Sequence, residues 1–329
     1  MVTPRDNSTL VAVSYHDTVN VLQAAGAPWE GPFDRAEWFE LLADAGLPPL
    51  VARCGDATLM LTRANGRIEP MRNWYAFTWR ARGDNPVLLA AVARSLRAHS
   101  HRVTLWPVPD EDGSATRLAA AFRTAGWHVA VDRCDHNHVM PVNGRSFSEY
   151  WAGRPGQMRT TLKRKAKKVA VEIHDRFDAV AWSEYEAIYA ESWKPGEGDP
   201  DLLRAFAQAE GAAGRLRLGI ARAEDQAVAA QFWTVENGTA YIHKLAHRES
   251  AKPLSAGTTL TAALFERVID VDKVELVDFG TGDDPYKRDW MEVDRPRFRI
   301  DCLDPRQAAA WPALAKRALR VLAPGASAR

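Results

Sequence analysis

The segment between residues 231 and 290 contains, in order, two strand-like runs, a helix and a third strand. Residues 231–235 and 240–246 are apolar runs separated by Glu236-Asn237-Gly238, and Asn-Gly between two such runs predicts a tight hairpin. Apolar residues with helical spacing follow between positions 260 and 268, and residues 274–279 form another strand-like run. This order predicts a βαβ unit, around which we expect the rest of the chain to be organised.

The loop before the predicted helix ends in Ser255, Ala256 and Gly257. Serine is a favoured N-cap residue, and glycine leaves room for a ligand to approach the backbone. Unpaired N–H groups at a helix start bind anions, and the aligned peptide dipoles strengthen the attraction. Two interpretations stay open on these residues alone: a capped helix packed on a sheet, and an anion-binding helix start.

Residues 278–290 have the sequence DFGTGDDPYKRDW. Together with the preceding strand and the Ser-Ala-Gly helix start, this segment resembles the acetyltransferases of the GNAT superfamily. Within that superfamily it is most similar to the CelD-like proteins linked to polysaccharide biosynthesis, which are similar to Fem-type peptidyltransferases. The likeness covers residues 150–301 well and the N-terminal half more loosely. The Ser-Ala-Gly start departs from the common GNAT pattern of Gln or Arg followed by spaced glycines.

The resemblance implies an α+β protein with tandem GNAT-like domains, each a mixed, mostly antiparallel sheet flanked by helices. The length of 329 residues also favours two domains. The turn at Asn143-Gly144 and the change in composition after it place the boundary there. We therefore expect a degenerate GNAT-like domain over residues 1–143 and an acyltransferase domain over residues 144–329. A short strand at residues 11–13 and a disordered tail at residues 323–329 are also expected.

The same resemblance implies an acyl-CoA-dependent N- or O-acyltransferase. Its co-substrate would be acetyl-CoA or another acyl-CoA, and its acceptor an amine or hydroxyl of a small molecule or saccharide. The backbone N–H groups at the helix start would then bind the pyrophosphate of the acyl-CoA; they belong to Ser255, Ala256, Gly257, Thr258 and Thr259. Two alternatives stay open: a Fem-like transferase that takes its acyl group from aminoacyl-tRNA, and a catalytically inactive GNAT-fold binding module.

Lys287 follows a strand end and a glycine loop, beside Asp283 and Asp284. An ammonium group at such a position can stabilise a tetrahedral oxyanion or hold a phosphate. The matching lysine of Fem-type transferases is associated with the substrate and the reacting carbonyl. The resemblance therefore implies a catalytic role for Lys287 and substrate binding by the neighbouring Tyr286. The alternative is a surface ion pair of Lys287 with Asp283 or Asp289.

Acyl transfer also needs a base that takes a proton from the attacking amine or hydroxyl. His243 and His247 lie in the strand before the helix start and, being four residues apart, are expected on one strand face. Asp278 ends the next strand, and Asp283 lies just past its glycine loop. His243 and Asp283 are our catalytic candidates, and the pattern does not rank the bases; a histidine on a half-buried strand also occurs as a structural residue.

Residues 159–168, RTTLKRKAKK, include six basic residues. The apolar residues of the same stretch recur with helical spacing, and the basic residues lie between them. This pattern predicts an amphipathic basic helix with Lys165 near its apolar edge. One interpretation is a solvated face on a packed helix. Another is a cationic wall that binds an anionic substrate or the phosphates of coenzyme A, formed by Arg159, Lys163, Arg164 and Lys167. A third is a helix that contacts nucleic acid or a membrane surface.

Charge and composition bear on the partners, the cellular compartment and the metal content expected of the protein. A formal net charge of +1 gives the protein no overall electrostatic attraction to nucleic acid. The basic residues of the helix also have no aromatic residues among them, and the two observations together argue against a nucleic-acid partner. No apolar run approaches the roughly 18 residues of a membrane span, and no secretory signal is expected at the start. Three widely spaced cysteines indicate reduced thiols in a cytoplasmic enzyme. His136 and His138 share a predicted strand face but have no evident further ligand, so we expect no metal.

Overall fold

The computed structural model describes residues 12–22 and 31–322. The expected strand at residues 11–13 therefore lies partly outside the described residues, and the expected tail at residues 323–329 lies wholly outside them. The described chain divides into two compact units. The first contains residues 12–22, Phe33–Cys134 and residues 296–322, and the second contains residues 31–32 and Asp135–Arg295.

Runs of consecutive strands and separate helices follow one another along the chain, as is typical of α+β proteins. The strands are β1 (Ser14–His16), β2 (Leu50–Cys54), β3 (Ala57–Ala64), β4 (Arg67–Pro70), β5 (Arg102–Val108), β6 (His128–Pro141), β7 (Ala170–His174), β8 (Leu216–Ala223), β9 (Gln226–Glu236), β10 (Thr239–His247), β11 (Leu276–Thr281) and β12 (Val293–Leu303). The α-helices are α1 (Ala36–Asp44), α2 (Pro86–Leu96), α3 (Ser114–Thr124), α4 (Phe147–Ala152), α5 (Gly156–Lys165), α6 (Ala179–Ala190), α7 (Pro200–Ala212), α8 (Ala256–Glu266), α9 (Lys287–Trp290) and α10 (Trp311–Leu322).

The first unit is built on strands in the order β1-β2-β3-β4-β5-β12. These strands pair antiparallel, except that β4 runs parallel to β5. Helix α2 begins where the Asn85 side chain accepts the N–H groups of Val87 and Leu88, with proline at the first helical position. Helices α2 and α3 pack together, and Phe122 and Trp127 lie in the buried core.

The second unit is built on strands in the order β6-β11-β10-β9-β8-β7, with β10 and β11 parallel and the other pairs antiparallel. Adjacent residues of a strand point to opposite faces. Phe232 contacts Trp182 of α6 and Phe206 of α7, whereas Trp233 contacts Phe265 of α8. Helices α6 and α7 therefore cover one face of this sheet, and α8 covers the other.

Both units are mixed, mostly antiparallel sheets with flanking helices, which confirms the α+β class expected from the sequence. The expected boundary at Asn143-Gly144 is a turn in which both residues have positive φ. The two compact units divide the chain at other positions, after Cys134 and again before Pro296, because β12 pairs with β5. The assignment of residues 1–143 and 144–329 to separate functional domains stays a prediction.

Candidate active site

The parallel pair β10 and β11 separates after a short ladder. Thr239, Ala240 and Tyr241 pair with Leu276, Val277 and Asp278, and β10 then continues to His247 while β11 continues to Thr281. Helix α8 connects the carboxyl end of β10 to the amino end of β11, so its first turn follows the carboxyl end of β10. An opening between two diverging strands exposes backbone groups to a ligand, which makes this place the candidate active site.

A β-bulge in β10 changes which side chains share a face. The register with β9 shifts between Ile242 and Lys244, so His243 is the extra residue. His243 contacts Phe206 and Phe232 on the α6–α7 face, and its Nε2 lies 2.8 Å from Thr234 Oγ1.

His247 lies on the other face of the sheet, beside α8, where its Cδ2 is 3.5 Å from the position of a Cβ added to Gly257. The expectation that His243 and His247 share one face is therefore wrong. The reason is that a bulge resets the two-residue alternation of a strand.

The start of α8 has the features of an anion site. Ser255 precedes it with φ 52° and ψ 39°, and the Ser255 side chain makes no capping hydrogen bond to the helix. The first intrahelical bond runs from the Thr259 N–H to the Ser255 carbonyl at 3.1 Å, so the N–H groups of Ala256, Gly257 and Thr258 lack a partner within the helix. Lys165 Nζ donates to Ser255 Oγ at 3.0 Å, which brings a positive charge to this helix start.

The predicted basic helix is α5, which continues into a 3₁₀ turn over Ala166–Lys168 and packs beside α8. Its apolar residues Met158 and Leu162 pack against the buried core. The four predicted substrate-binding residues of this helix and turn are exposed and form no ion pair within the described part of the chain: Arg159, Lys163, Arg164 and Lys167. The helix thus has the amphipathic form expected, and its contact to the α8 start comes from half-buried Lys165 instead.

Lys287 begins α9 just after the end of β11 and is buried, with 5% of its surface exposed. Its Nζ donates to the Thr281 carbonyl and lies 5.5 Å from the centre of the Phe279 ring. Burial lowers the pKa of Lys287, the Asp284 carboxylate opposes this effect, and the charge of Lys194 adds to it. The expected alternative of a surface ion pair is therefore not the arrangement that the structure describes.

Asp283 and Tyr286 lie in the same segment but in different surroundings. Asp283 is exposed and pairs with Arg288, which lowers the pKa of the Asp283 carboxyl. Tyr286 packs edge-on against Phe279 at 5.6 Å, and burial raises the pKa of its hydroxyl. A carboxyl with a lowered pKa is a weaker base, which reduces the case for Asp283 in proton transfer.

A cavity of about 540 Å³ lies between α6, α7 and the segment that connects them. It belongs to the sheet face that carries His243, opposite α8. Aromatic and charged side chains both contribute to its walls, among them Trp182, Tyr185, Glu186, Tyr189, Lys194, Glu197 and Arg204. A concave site with aromatic surface and a few polar groups is typical of small-molecule binding.

Lys244 and Glu197 form a buried ion pair at this cavity, which the sequence interpretation missed. Lys244 Nζ donates to Glu197 Oε1 at 2.9 Å and lies 5.2 Å from the centre of the Tyr189 ring. Burial lowers the pKa of Lys244 to about 8, Glu197 opposes the shift, and Lys194 adds to it. The one available signal was a lysine inside the apolar run of β10.

The histidines considered as metal ligands have other surroundings. His136 Nδ1 lies 2.9 Å from Asp294 Oδ2, and His138 is buried. Within residues 12–22 and 31–322, no group of three or more His, Cys, Asp or Glu side chains is arranged to hold a metal ion. In the same part of the chain, no helix combines the length and apolar character that a membrane crossing requires.

Residues 156–288 match the family model of the acetyltransferase (GNAT) domain. The match spans α5 to the first residues of α9 and so includes β10, α8 and β11. No curated protein matches the chain.

Several solved structures share the fold. FemX has a TM-score of 0.63 at 11% identity, with 89% of this chain and 98% of that chain covered. The C-terminal domain of a protein assigned as a lysylphosphatidylglycerol synthetase from Agrobacterium fabrum has a TM-score of 0.61 at 13% identity, with 92% and 96% covered. L-PGS from Bacillus licheniformis has a TM-score of 0.55 at 12% identity, with 80% and 86% covered. At these identities the likeness shows the fold alone, a GNAT-like one.

Proposed function

We propose that the protein transfers an acyl group from acetyl-CoA or another acyl-CoA to an amine or hydroxyl of a small molecule or saccharide. The observation that carries the proposal is the contact of Lys165 Nζ with Ser255 Oγ, 3.0 Å apart, at the start of the helix between two parallel strands. The N–H groups of Ala256, Gly257 and Thr258 would hold the pyrophosphate of the thioester, together with the Lys165 ammonium.

The exposed cations of α5 support the same assignment. Arg159, Lys163 and Arg164 of α5 and Lys167 of the following 3₁₀ turn flank Lys165 in sequence, and α5 packs beside α8. Their charges would raise the local concentration of a polyanionic co-substrate near the α8 start. This role requires no direct contact and depends on ionic strength.

The acceptor would enter from the cavity on the other face of the sheet. Its amine or hydroxyl would then reach the thioester carbonyl at the opening between β10 and β11, so that binding positions the two reacting groups. His243 lies on the cavity face and is the base that we propose; exposed, ion-paired Asp283 is the weaker candidate. Lys287, buried at the end of β11, would stabilise the oxyanion that forms on the reacting carbonyl.

Calorimetric titration with acetyl-CoA and with free coenzyme A tests the co-substrate. We expect saturable binding that Lys165→Met weakens by about tenfold, because one charge-assisted hydrogen bond is lost. Lys168→Met removes an exposed charge from the following turn and is the matched control. If the wild-type protein and both variants bind with equal affinity, or if none of them binds, the α8 start is not the pyrophosphate-binding site.

The second candidate is a Fem-like transfer from aminoacyl-tRNA, which the structural likeness to FemX favours. Filter assays with radiolabelled acetyl-CoA and with radiolabelled aminoacyl-tRNA, each against a panel of amino and hydroxy sugars, would distinguish the two candidates. Acyl transfer from acetyl-CoA supports the first candidate, and transfer from charged tRNA alone supports the second. Saturable coenzyme A binding without turnover of any acceptor would indicate a binding module.

A further inference from the structure

A second cavity, of about 490 Å³, lies wholly within the first unit. Its walls come from the turn between β3 and β4, from the segment between α2 and β5, and from Gln307. The volume falls within the range of small-molecule pockets, roughly 300–1,000 Å³. The proposed acyl transfer does not use this cavity.

The described side chains that line this cavity include two arginines and no carboxylate. Arg63, Arg67, His99 and His101 line it, and none of the described residues that line it is an aspartate or a glutamate. Glu69 pairs with Arg67 and neutralises its charge. Arg63, in contrast, forms no ion pair within the described residues, so its charge is available to an anion.

Arg63 is held in place by the backbone and side chain of His99. Its Nη1 donates to the His99 carbonyl at 2.9 Å, and its Nη2 lies 3.1 Å from His99 Nδ1. A guanidinium can only donate, so Nδ1 accepts and the neutral ring carries its proton on Nε2. Among the described residues, these two bonds occupy two of the five guanidinium N–H groups and leave three for a ligand.

His99 is fixed as well. The Tyr15 ring lies against it with centroids 4.0 Å apart, and both burial and the charge of Arg63 lower the pKa of His99. A guanidinium fork beside a fixed imidazole N–H presents donors in a rigid arrangement, which suits the oxygens of a phosphate. At the β3–β4 turn, a Cβ added to Gly66 would meet no atom within 4 Å, so this wall leaves space for a ligand.

We propose that this cavity binds the phosphate group of a small-molecule phosphomonoester. The Arg63 guanidinium and the His99 imidazole would donate to the phosphate oxygens, with His101 as a further donor. The cavity is larger than a bare phosphate, so an organic portion of the ligand would occupy the remainder, beside Ser100 and Gln307.

The test follows the imidazole signals of His99 by NMR in the full chain during titration with glycerol 3-phosphate, at constant ionic strength set with chloride. We expect a saturable shift, weakened by at least about tenfold in Arg63→Gln and less in Arg63→Lys, which keeps the charge but loses the fork. Arg94→Gln removes an equal charge from an exposed position of α2 and should bind like the wild-type protein.

Three results would overturn the proposal: no saturable shift, an equal affinity in a folded Arg63→Gln protein, or saturation by inorganic phosphate without saturation by glycerol 3-phosphate. Flotation with vesicles that contain phosphatidic acid distinguishes a lipid source of the same phosphate group. Vesicle binding without binding of glycerol 3-phosphate would assign the cavity to a membrane surface and contradict the small-molecule proposal. A thermal unfolding curve for each variant shows that the comparison is made between folded proteins.

Discussion

Lys244 Nζ donates to Glu197 Oε1 over 2.9 Å, so an ion pair joins strand β10 to the segment between α6 and α7. The two side chains are 6% and 13% exposed. Buried charges are retained in proteins when they are paired, because water no longer solvates them. The pair therefore fixes one wall of the cavity in which we expect the acceptor to bind.

Removal of one member of this pair should lower the free energy of unfolding. Lys244→Met leaves the Glu197 carboxylate with less compensation, and breaking a buried pair in this way costs about 3 kcal/mol or more of unfolding free energy. The double variant Lys244→Met/Glu197→Gln should lose less than the single variant, because no uncompensated charge remains. Urea unfolding measures both, with Lys168→Met as the exposed control. Additive losses in the double variant would contradict a direct pair.

The stability of the protein should rise between pH 8 and pH 10. Burial lowers the pKa of Lys244 to about 8 in the folded protein, whereas an unfolded lysine keeps its proton up to about pH 10.4. In this window the unfolded state binds more protons, so the unfolding free energy increases with pH, by up to about 1.4 kcal/mol per pH unit for one group. Lys194 and Lys287 have lowered pKa values and act in the same direction.

The comparison of wild-type protein with Lys244→Met isolates this contribution. The variant should show a flatter dependence of the urea midpoint on pH. Measurements stop near pH 10, because tyrosines with raised pKa values act in the opposite direction above it. Identical slopes in the two proteins would mean that Lys244 does not titrate in this range.

Gly257→Val should weaken acyl-CoA binding at the start of α8 and leave the fold intact. A Cβ at this position meets His247 Cδ2 at 3.5 Å, an ordinary contact, and the backbone is helical, so the fold should survive. The branched side chain should nevertheless obstruct the approach of the pyrophosphate and weaken acetyl-CoA binding by about tenfold or more. Calorimetry measures the affinity, and Gly257→Ala, with its smaller side chain, is the control. Unchanged affinity in the valine variant would remove the pyrophosphate from this helix start.

Lys287→Met should reduce kcat/KM by about 100-fold, as expected when one oxyanion donor is lost. The methionine keeps the length and apolar character of the stem, so we expect little change in Tm. Arg288→Gln alters the adjacent, exposed residue and should retain activity. Wild-type turnover in a folded Lys287→Met protein would leave this segment as a turn that packs Tyr286 and Trp290 against the core.

Neutralising the exposed cations of α5 and the following turn should weaken association with the acyl-CoA and leave the stability of the protein nearly unchanged. Substitution of Arg159, Lys163, Arg164 and Lys167 by glutamine should raise the KM for the acyl-CoA and reduce its dependence on ionic strength. Steady-state kinetics at low and high salt measure both. If the four residues are only a solvated face, the kinetics of the variant should match those of the wild-type protein at every salt concentration.

Local features of the fold were predictable because they depend on neighbouring residues. The Asn237-Gly238 hairpin forms as expected, with φ of 46° and 72°, values that asparagine and glycine adopt more readily than other residues. Helix α8 and the basic helix α5 follow from the spacing of their apolar residues. The unpaired N–H groups at the α8 start were also predictable, because any helix leaves the N–H groups of its first turn without an intrahelical partner.

The division of the chain into units depended on long-range pairing. The turn at Asn143-Gly144 is a local signal and is present, but the strand that follows the DDPYK segment pairs with β5, far away in sequence. No periodicity of β12 indicates its partner, since every strand of similar pattern offers the same hydrogen-bonding edge.

The sequence by itself therefore determined the α+β class, the βαβ unit and the charged helix beside it. Only the tertiary structure decided which side chains meet at the candidate site. Lys165 and Ser255 are separated by 90 positions, and Lys244 and Glu197 by 47. The bulge at His243 placed His243 and His247 on opposite faces. Such pairings form where folding buries two polar groups together and removes their water, and neither turn residues nor periodicity encodes that proximity.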